Sequence, residues 1–200
     1  MTVRWARVVP KIRALGQPRP MRGVAVQFVL ALTISFFPAP TYARGPCSID
    51  AVPASVRQLL QENYSTWRVV TIRDLLAEDQ RIWRAHYPGK CPGYAAAHLS
   101  DADRLSYAFN LIRKTHEAVY QALIVFDPDG DSYKLHVLSR PEAVAALSVM
   151  SVHPPGLVTS SVDGRSVRSK FSVITLEVLE SGAIVYYWSK DRYRAIQISD

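Results

Sequence analysis

One stretch, from Leu105 to Leu138, constrains the fold of this chain most, because its pattern predicts antiparallel strands joined by a tight turn. The segment Glu117–Phe126 is apolar on both faces, which favours a strand covered on both sides but leaves a helix open. Pro128-Asp129-Gly130 then supplies the turn, since proline presets φ and glycine tolerates a left-handed backbone. The first strand of the stretch precedes Glu117 and alternates apolar residues with smaller or polar ones. Its apolar residues are Leu105, Tyr107, Phe109 and Leu111.

The segments on either side predict helices before this stretch and further strands after it. A helix is expected from Pro53, which suits a first helical turn, and a second one over Ala77–Tyr87. Strands are expected at Phe171–Leu179, Ala183–Trp188 and Tyr193–Ile198, with separators short enough for hairpins. The sequence therefore predicts an α+β domain, in which an antiparallel meander sheet carries short N-terminal helices packed on it and one disulfide.

The first 43 residues have the composition of a secretory signal rather than of a folded domain. They contain six basic and no acidic residues, the apolar run Val24–Phe37 and small residues up to Ala43. The run is short for a bilayer-spanning helix, although an uncleaved membrane anchor is the alternative. Translation from Met1 or from Met21 would give such a signal. Cleavage after Ala43 would leave residues 44–200 as a single α+β domain, periplasmic or secreted and free of the membrane.

The high net charge of the chain belongs to this signal. Of the 24 Lys and Arg residues, six precede Ala43, whereas all 17 acidic residues follow it. The mature chain would therefore carry 18 basic against 17 acidic residues, and its sequence shows no concentrated basic segment. A nucleic-acid partner is not expected on these grounds.

Cys47 and Cys91 are the only cysteines, and export would place them in an oxidising compartment. An even pair in this setting predicts a disulfide. Closing a loop of this length restricts the unfolded chain by about 4 kcal/mol in the loop-entropy model. A thiol nucleophile or a metal site is the alternative, but two cysteines this far apart have no ligand spacing.

No catalytic residue is assigned, because no constellation for a defined reaction can be assembled from the sequence. A Gly-x-Ser-x-Gly elbow is absent, and the histidines show no metal-binding spacing. The alternative function is a small periplasmic hydrolase that uses the loop Val152–Asp163. The residues that it would use are Ser160, Ser161, His153 and Asp163.

Asp127, Asp129 and Asp131 are spaced like the opening of an EF-hand loop. The match fails at Ser132, where the motif requires glycine, and at Leu138, where it requires a bidentate glutamate. A hairpin turn with solvated carboxylates is the better interpretation of these three residues.

A resemblance to a known family covers the chain from about Trp67 to Asp200. The segments Cys91-Pro92-Gly93, Ala96–Ala108 and Tyr133-Lys134-Leu135 resemble one FG-GAP or VCBS-type blade unit. The ending, Val185–Tyr193 followed by Ser199-Asp200, is similar to the ends of small exported bacterial proteins that carry this unit and have no assigned activity.

This resemblance implies a site for Ca²⁺, because the acidic loop of the family binds that ion through closely spaced carboxylates around glycines. Asp101 and Asp103 are the acidic residues that remain in the corresponding loop, and Ala102 and Arg104 stand beside them. The resemblance therefore implies a degenerate, Ca²⁺-stabilised unit as a third interpretation, with no other cofactor.

Aromatic residues gather near the predicted strand ends, where rings serve cores and interfaces alike. Alternation puts rings on both faces of the strand that ends at Trp188. If the Tyr187 ring is exposed, it forms a partner-binding patch with Arg192 and Arg194. The leading hypothesis is an exported, non-catalytic binding or inhibitor-type module that acts on another protein of the cell envelope. The aromatic residues considered are Trp67, Trp83, Tyr186, Tyr187, Trp188 and Tyr193.

Overall fold

The computed structural model describes residues 45–199, and the predicted signal over residues 1–43 lies outside them. Within this part, no helix is both long and apolar enough to cross a membrane. The helices are α1 (Ala54–Tyr64) and α2 (Ala77–His86), with a 3-10 helix over Ile72–Asp74. The strands are β1 (Arg68–Val69), β2 (Tyr94–Ala97), β3 (Ser106–Lys114), β4 (Val119–Asp129), β5 (Ser132–Ala143), β6 (Val149–His153), β7 (Gly156–Thr159), β8 (Ser166–Ser169), β9 (Val173–Glu177), β10 (Ala183–Ser189) and β11 (Arg192–Ser199).

The α+β class and the antiparallel pairing are confirmed, but the strands form three sheets rather than one meander. In the first sheet β3, β4 and β5 follow one another, and β1 and β2 both pair with the outer edge of β3. The second sheet has the order β11-β10-β9-β6, and β7 and β8 form a separate hairpin. The helices are also not N-terminal in the chain, since they begin at Ala54 and Ala77.

The second sheet exists because β3 and β4 present two apolar faces, and each face needs a cover. Phe109 and Phe126 pack with Val56 of α1 on one face. Ala108 and Val125 pack on the other face against residues of the second sheet. The β7–β8 hairpin covers the far side of the second sheet, so the described part is layered from α1 to this hairpin.

The predicted disulfide between Cys47 and Cys91 is present. It lies near the point where β1 and β2 approach each other along the edge of β3. There Gly93 O accepts from the backbone N–H of β3 residue Asn110, at 2.9 Å. A Cβ on Gly93 would lie 2.3 Å from Val70 O, so only glycine allows this close contact of backbones.

The predicted turn of the central stretch is found, but it lies further along the chain. β4 continues through Pro128, and Asp129 pairs with Ser132 across the hairpin. The two turn residues are therefore Gly130 and Asp131, with Gly130 at φ +54°. This extension of β4 determines where Asp127 lies.

Candidate functional site

Two polar clusters are buried between the two larger sheets, on the face of β3 and β4 that is turned away from α1. Because strand side chains alternate, Ser106 and Asn110 share this face of β3, and Gln121 and Asp127 share it on β4. Each of these four residues is less than 5% exposed. Buried polar groups normally have hydrogen-bond partners, so the partners of each cluster indicate its role.

The Asn110–Gln121 cluster is fully satisfied. Gln121 Nε2 donates to Asn110 Oδ1 at 2.9 Å and to Ser148 O at 2.7 Å. Asn110 Nδ2 also donates to Ser148 O, and Ser148 N donates to Gln121 Oε1 at 3.0 Å. The cluster thus ties the segment before β6 to β3 and β4, which is a structural role.

The Asp127 cluster is not fully satisfied. Asp127 Oδ1 accepts from Ser106 Oγ and, at 2.9 Å, from the Tyr193 hydroxyl. Asp127 Oδ2 is buried as well but has no hydrogen-bond partner among the described residues. His136 Nε2 lies 3.6 Å from Oδ2, beyond a normal hydrogen bond. An unpaired carboxylate oxygen in a buried place is costly, and therefore marks this cluster as a candidate site.

Three rings surround this carboxylate. The His136 ring lies 5.6 Å from those of Trp188 and Tyr193, which are 5.0 Å apart. Burial, together with the charge of Asp127, raises the pKa of Tyr193 far above its ordinary value, so its hydroxyl stays a donor. Burial also lowers the pKa of His136, an effect that Asp127 partly offsets. At neutral pH a neutral imidazole therefore lies beside the unpaired oxygen.

A cleft of about 240 Å³ opens beside this cluster, and we call it the Asp127 cleft. Its charged lining consists of four aspartates and one lysine, and Asp101 is ion-paired with Arg104, so the cleft keeps a net negative charge while His136 is neutral. Trp188 supplies an aromatic wall. The residues that define the cleft are Asp127 and His136, Trp188, the carboxylates of Asp101, Asp129 and Asp191, and Lys134.

The structure brings together the predicted partner-binding residues. Tyr187 lies opposite Arg194, and Ser189 lies opposite Arg192, in the β10–β11 ladder. Alternation then places Tyr187, Arg192 and Arg194 on the same side of the second sheet, the side away from the first sheet. The Nε atom of Arg194 is buried without a hydrogen-bond partner among the described residues.

Further cations lie next to this patch. A second cleft, of about 300 Å³, is lined by Arg168, Lys170 and Lys190 together with Tyr187, and Asp191 is its one acidic lining residue. We call the whole surface the basic face; it comprises Tyr187, Arg168, Lys170, Lys190, Arg192 and Arg194. Within residues 45–199, none of its five cations forms an ion pair. The basic face and the Asp127 cleft meet at the β10–β11 turn.

The side chain of Asp101, one of the two predicted Ca²⁺ ligands, is engaged by its own loop. Asp101 Oδ1 accepts from Asp103 N at 2.8 Å and from Arg104 N at 3.2 Å. These hydrogen bonds, that from Asp103 first, hold the pKa of Asp101 below its ordinary value. No group of three or more His, Cys, Asp or Glu side chains in the described part could hold a metal ion together. Binding of Ca²⁺ by Asp101 and Asp103 stays a prediction.

The structure does not bring together the four loop residues of the alternative hydrolase site. Ser160 is buried, and its Oγ accepts from two backbone N–H groups of its own turn. Ser161 donates to a carbonyl of β11, and His153 contacts a serine two residues earlier in β6. Asp163 pairs with the arginine two residues later. The segment is also not simply a loop, since β7 begins at Gly156.

The Asp127 cluster was not predicted from the sequence. The interpretation of Asp127 as a solvated turn carboxylate is wrong, because β4 continues past this residue and turns it inward. Asp129 and Asp131 are exposed, as expected. Alternation with Leu123 and Val125 is the signal that could have placed Asp127 on the inner face.

No family model matches this chain, and comparison with curated proteins and with solved structures also yields no match. The resemblance to an FG-GAP or VCBS-type unit therefore stays a prediction.

Proposed function

We propose that this chain is an exported binding module that engages an acidic surface of another envelope protein through the basic face. The observation that carries the proposal is a set of five cations, three in the cleft that Tyr187 lines and two on its side of the β10–β11 hairpin. None of them forms an ion pair within residues 45–199. Cations that are not neutralised within the described part of the chain are available to a partner and would steer its approach.

The residue types of the basic face also suit protein recognition. Tyrosine and arginine are the residues that most often dominate binding energy at interfaces. Tyr187 is half-buried, so part of its ring is held by the core while part stays accessible. A ring fixed in this way loses little conformational entropy when a partner covers it.

A double charge reversal tests the proposal. The disulfide-bonded protein is used to capture partners from an envelope extract, as wild type and as the Arg168→Glu/Arg192→Glu variant. The wild type is expected to retain a stoichiometric partner whose binding weakens with salt, and the variant is expected to lose it.

The matched control reverses two exposed arginines elsewhere, Arg57 on α1 and Arg140 on β5. Arg57→Glu/Arg140→Glu changes the net charge equally and should retain the partner. The proposal fails if both variants lose the partner equally, if neither does, or if folded wild-type protein captures nothing.

A further inference from the structure

We infer that the Asp127 cleft is a binding site for an organic ammonium group, either a lysine side chain of a polypeptide or a small primary amine. The inference does not depend on the basic face, because it rests on a different set of side chains.

The two oxygen atoms of the Asp127 carboxylate differ in their hydrogen bonding. Oδ1 is held by two hydroxyl donors, from Ser106 and Tyr193, which fix the direction of the carboxylate. Oδ2 is buried, unpartnered, and belongs to a residue that lines the cleft. The surface of Oδ2 is almost wholly covered, so a donor that enters the cleft reaches this oxygen only when a covering side chain shifts. The donor would then satisfy the oxygen and its negative charge together.

The arrangement of the carboxylates decides between a metal ion and a larger cation. A hard cation such as Ca²⁺ needs six or more oxygen atoms within about 2.6 Å. Within residues 45–199 no three or more His, Cys, Asp or Glu side chains, the four aspartates of the cleft included, form a group that could hold a metal ion. The four aspartates surround about 240 Å³ of space instead, which suits an organic group.

The single free oxygen decides between the two cationic groups of proteins. A guanidinium group binds carboxylates best through two parallel hydrogen bonds, one to each oxygen. Asp127 offers only Oδ2, because Oδ1 already accepts two hydrogen bonds. An ammonium group is a compact charge that can donate a single hydrogen bond there and keep its other donors for water.

The remaining lining supports the same ligand. Trp188 forms one wall, and the indole ring attracts ammonium groups through its π electrons. Asp129 and Asp191 are exposed at the cleft and raise the local concentration of cations. Lys134 also lines the cleft but forms no ion pair within residues 45–199, so it leaves Oδ2 unoccupied, although its charge opposes the binding of a cation.

The test uses the full-length chain expressed so that its disulfide forms, and three small probes titrated by NMR. N-acetyl-lysine amide carries the ammonium group, N-acetyl-norleucine amide is its uncharged counterpart, and n-butylammonium represents a free amine. The lysine derivative is expected to saturate with Trp188 and His136 signals shifting, at a Kd of about 1 mM or below. The norleucine derivative is expected not to bind.

Two aspartate variants show whether the binding depends on the unpaired oxygen. Asp127→Asn keeps the size of the side chain and an oxygen for both hydroxyl donors, and should weaken lysine-derivative binding about tenfold or more. Asp131→Asn removes the same charge from the neighbouring turn, outside the cleft lining, and should change it less than about twofold. Lys134→Met should strengthen binding, since it removes the competing cation.

The probes also identify the source of the ammonium group. Equal binding of n-butylammonium and the lysine derivative indicates a free amine, whereas clearly tighter binding of the lysine derivative indicates a polypeptide. The inference is overturned if the norleucine derivative binds equally, if Asp127→Asn keeps wild-type affinity, if Asp131→Asn loses as much, or if no probe saturates. Since Asp127→Asn leaves the basic face unchanged, this inference and the proposed function fail separately.

Discussion

The two buried polar clusters between the sheets differ in one respect that separates structure from function. In the Asn110–Gln121 cluster every side-chain nitrogen and oxygen atom has at least one hydrogen-bond partner within the described part. The Asp127 cluster leaves one carboxylate oxygen without a donor in the described part, and this residue lines an open cleft. Equal burial therefore does not mean equal roles, because the unsatisfied cluster has a place for a group from outside.

The difference also lies in charge. Asn110 and Gln121 are neutral amides, so their burial is compensated by hydrogen bonds alone. A buried carboxylate needs compensation of its charge as well. Within residues 45–199 Lys134 forms no ion pair with it, and the neighbouring His136 has its pKa lowered by burial. The buried charge of the Asp127 cluster therefore lowers the free energy of unfolding, whereas the neutral amides of the structural cluster do not.

The largest expected loss of stability comes from a substitution in the Asn110–Gln121 cluster. Gln121→Leu has a similar volume but leaves Ser148 N and the fully buried Asn110 Oδ1 without their partners. We expect a loss of about 3 kcal/mol in the free energy of unfolding, measured by urea denaturation. Lysine-derivative binding should persist in this variant under conditions where it is folded.

A matched control for this change is Gln58→Leu on the exposed side of α1, which should alter stability by about 0.5 kcal/mol or less. If Gln121→Leu were as mild as the control, the Asn110–Gln121 cluster would not be a structural support.

The next effect concerns the donor that orients Asp127. Tyr193→Phe removes one of two hydrogen bonds to Oδ1 and should lower the free energy of unfolding by about 2 kcal/mol, since bonds to charged groups are the stronger ones. It should also weaken lysine-derivative binding, because the carboxylate is less firmly held. Thermal and urea unfolding measure the first effect, and NMR titration the second.

Tyr120→Phe serves as the control, because the Tyr120 ring contacts Arg113 while no hydrogen bond of its hydroxyl is found in the described part. A Tyr193→Phe variant that matched this control in stability and binding would show that Asp127 is oriented by Ser106 alone.

Much of the fold could be predicted from the sequence, because its signals are local. The turn near Gly130, the helix after Pro53 and the pairing of Cys47 with Cys91 all follow from residue chemistry over short segments or from a simple count. The prediction of a single meander sheet was wrong. Periodicity shows that both faces of β4 are covered, but it does not show which elements cover them.

The Asp127 cluster could not be assembled from the sequence for the same reason. Tyr193 follows Asp127 by 66 positions, and they meet only because the second sheet packs on the first. In contrast, the grouping of Tyr187, Arg192 and Arg194 could be predicted from the sequence. All three lie on one hairpin, where the alternation of side chains determines the face of the sheet.

A smaller effect is expected from pH through His136. Its pKa is lowered in the folded state, so on acidification the unfolded chain takes up the proton first. The stability present above the ordinary histidine value of about 6.5 should then decline as pH falls below it. The groups that face His136 are Asp127, Asp129, Lys134, Trp188 and Tyr193.

Unfolding curves between pH 7 and pH 5 for the wild type and for His136→Gln test this effect. On acidification the free energy of unfolding of the wild type should fall relative to that of the variant, with a pH slope that corresponds to less than one proton taken up on unfolding. The variant of an exposed histidine, His116→Gln, should follow the wild type. A wild type that gained stability relative to His136→Gln on acidification would show that the charge of Asp127 outweighs burial.

The smallest effect on stability is expected where the effect on binding is largest. Asp127→Asn keeps an acceptor for Ser106 and Tyr193 and removes a buried charge that has no counter-charge while the imidazole is neutral. Its free energy of unfolding should therefore stay within about 1 kcal/mol of the wild type, or rise, while lysine-derivative binding is lost. A loss of stability as large as that of Gln121→Leu would mean that both clusters are structural, and the distinction drawn from the unpaired oxygen would fail.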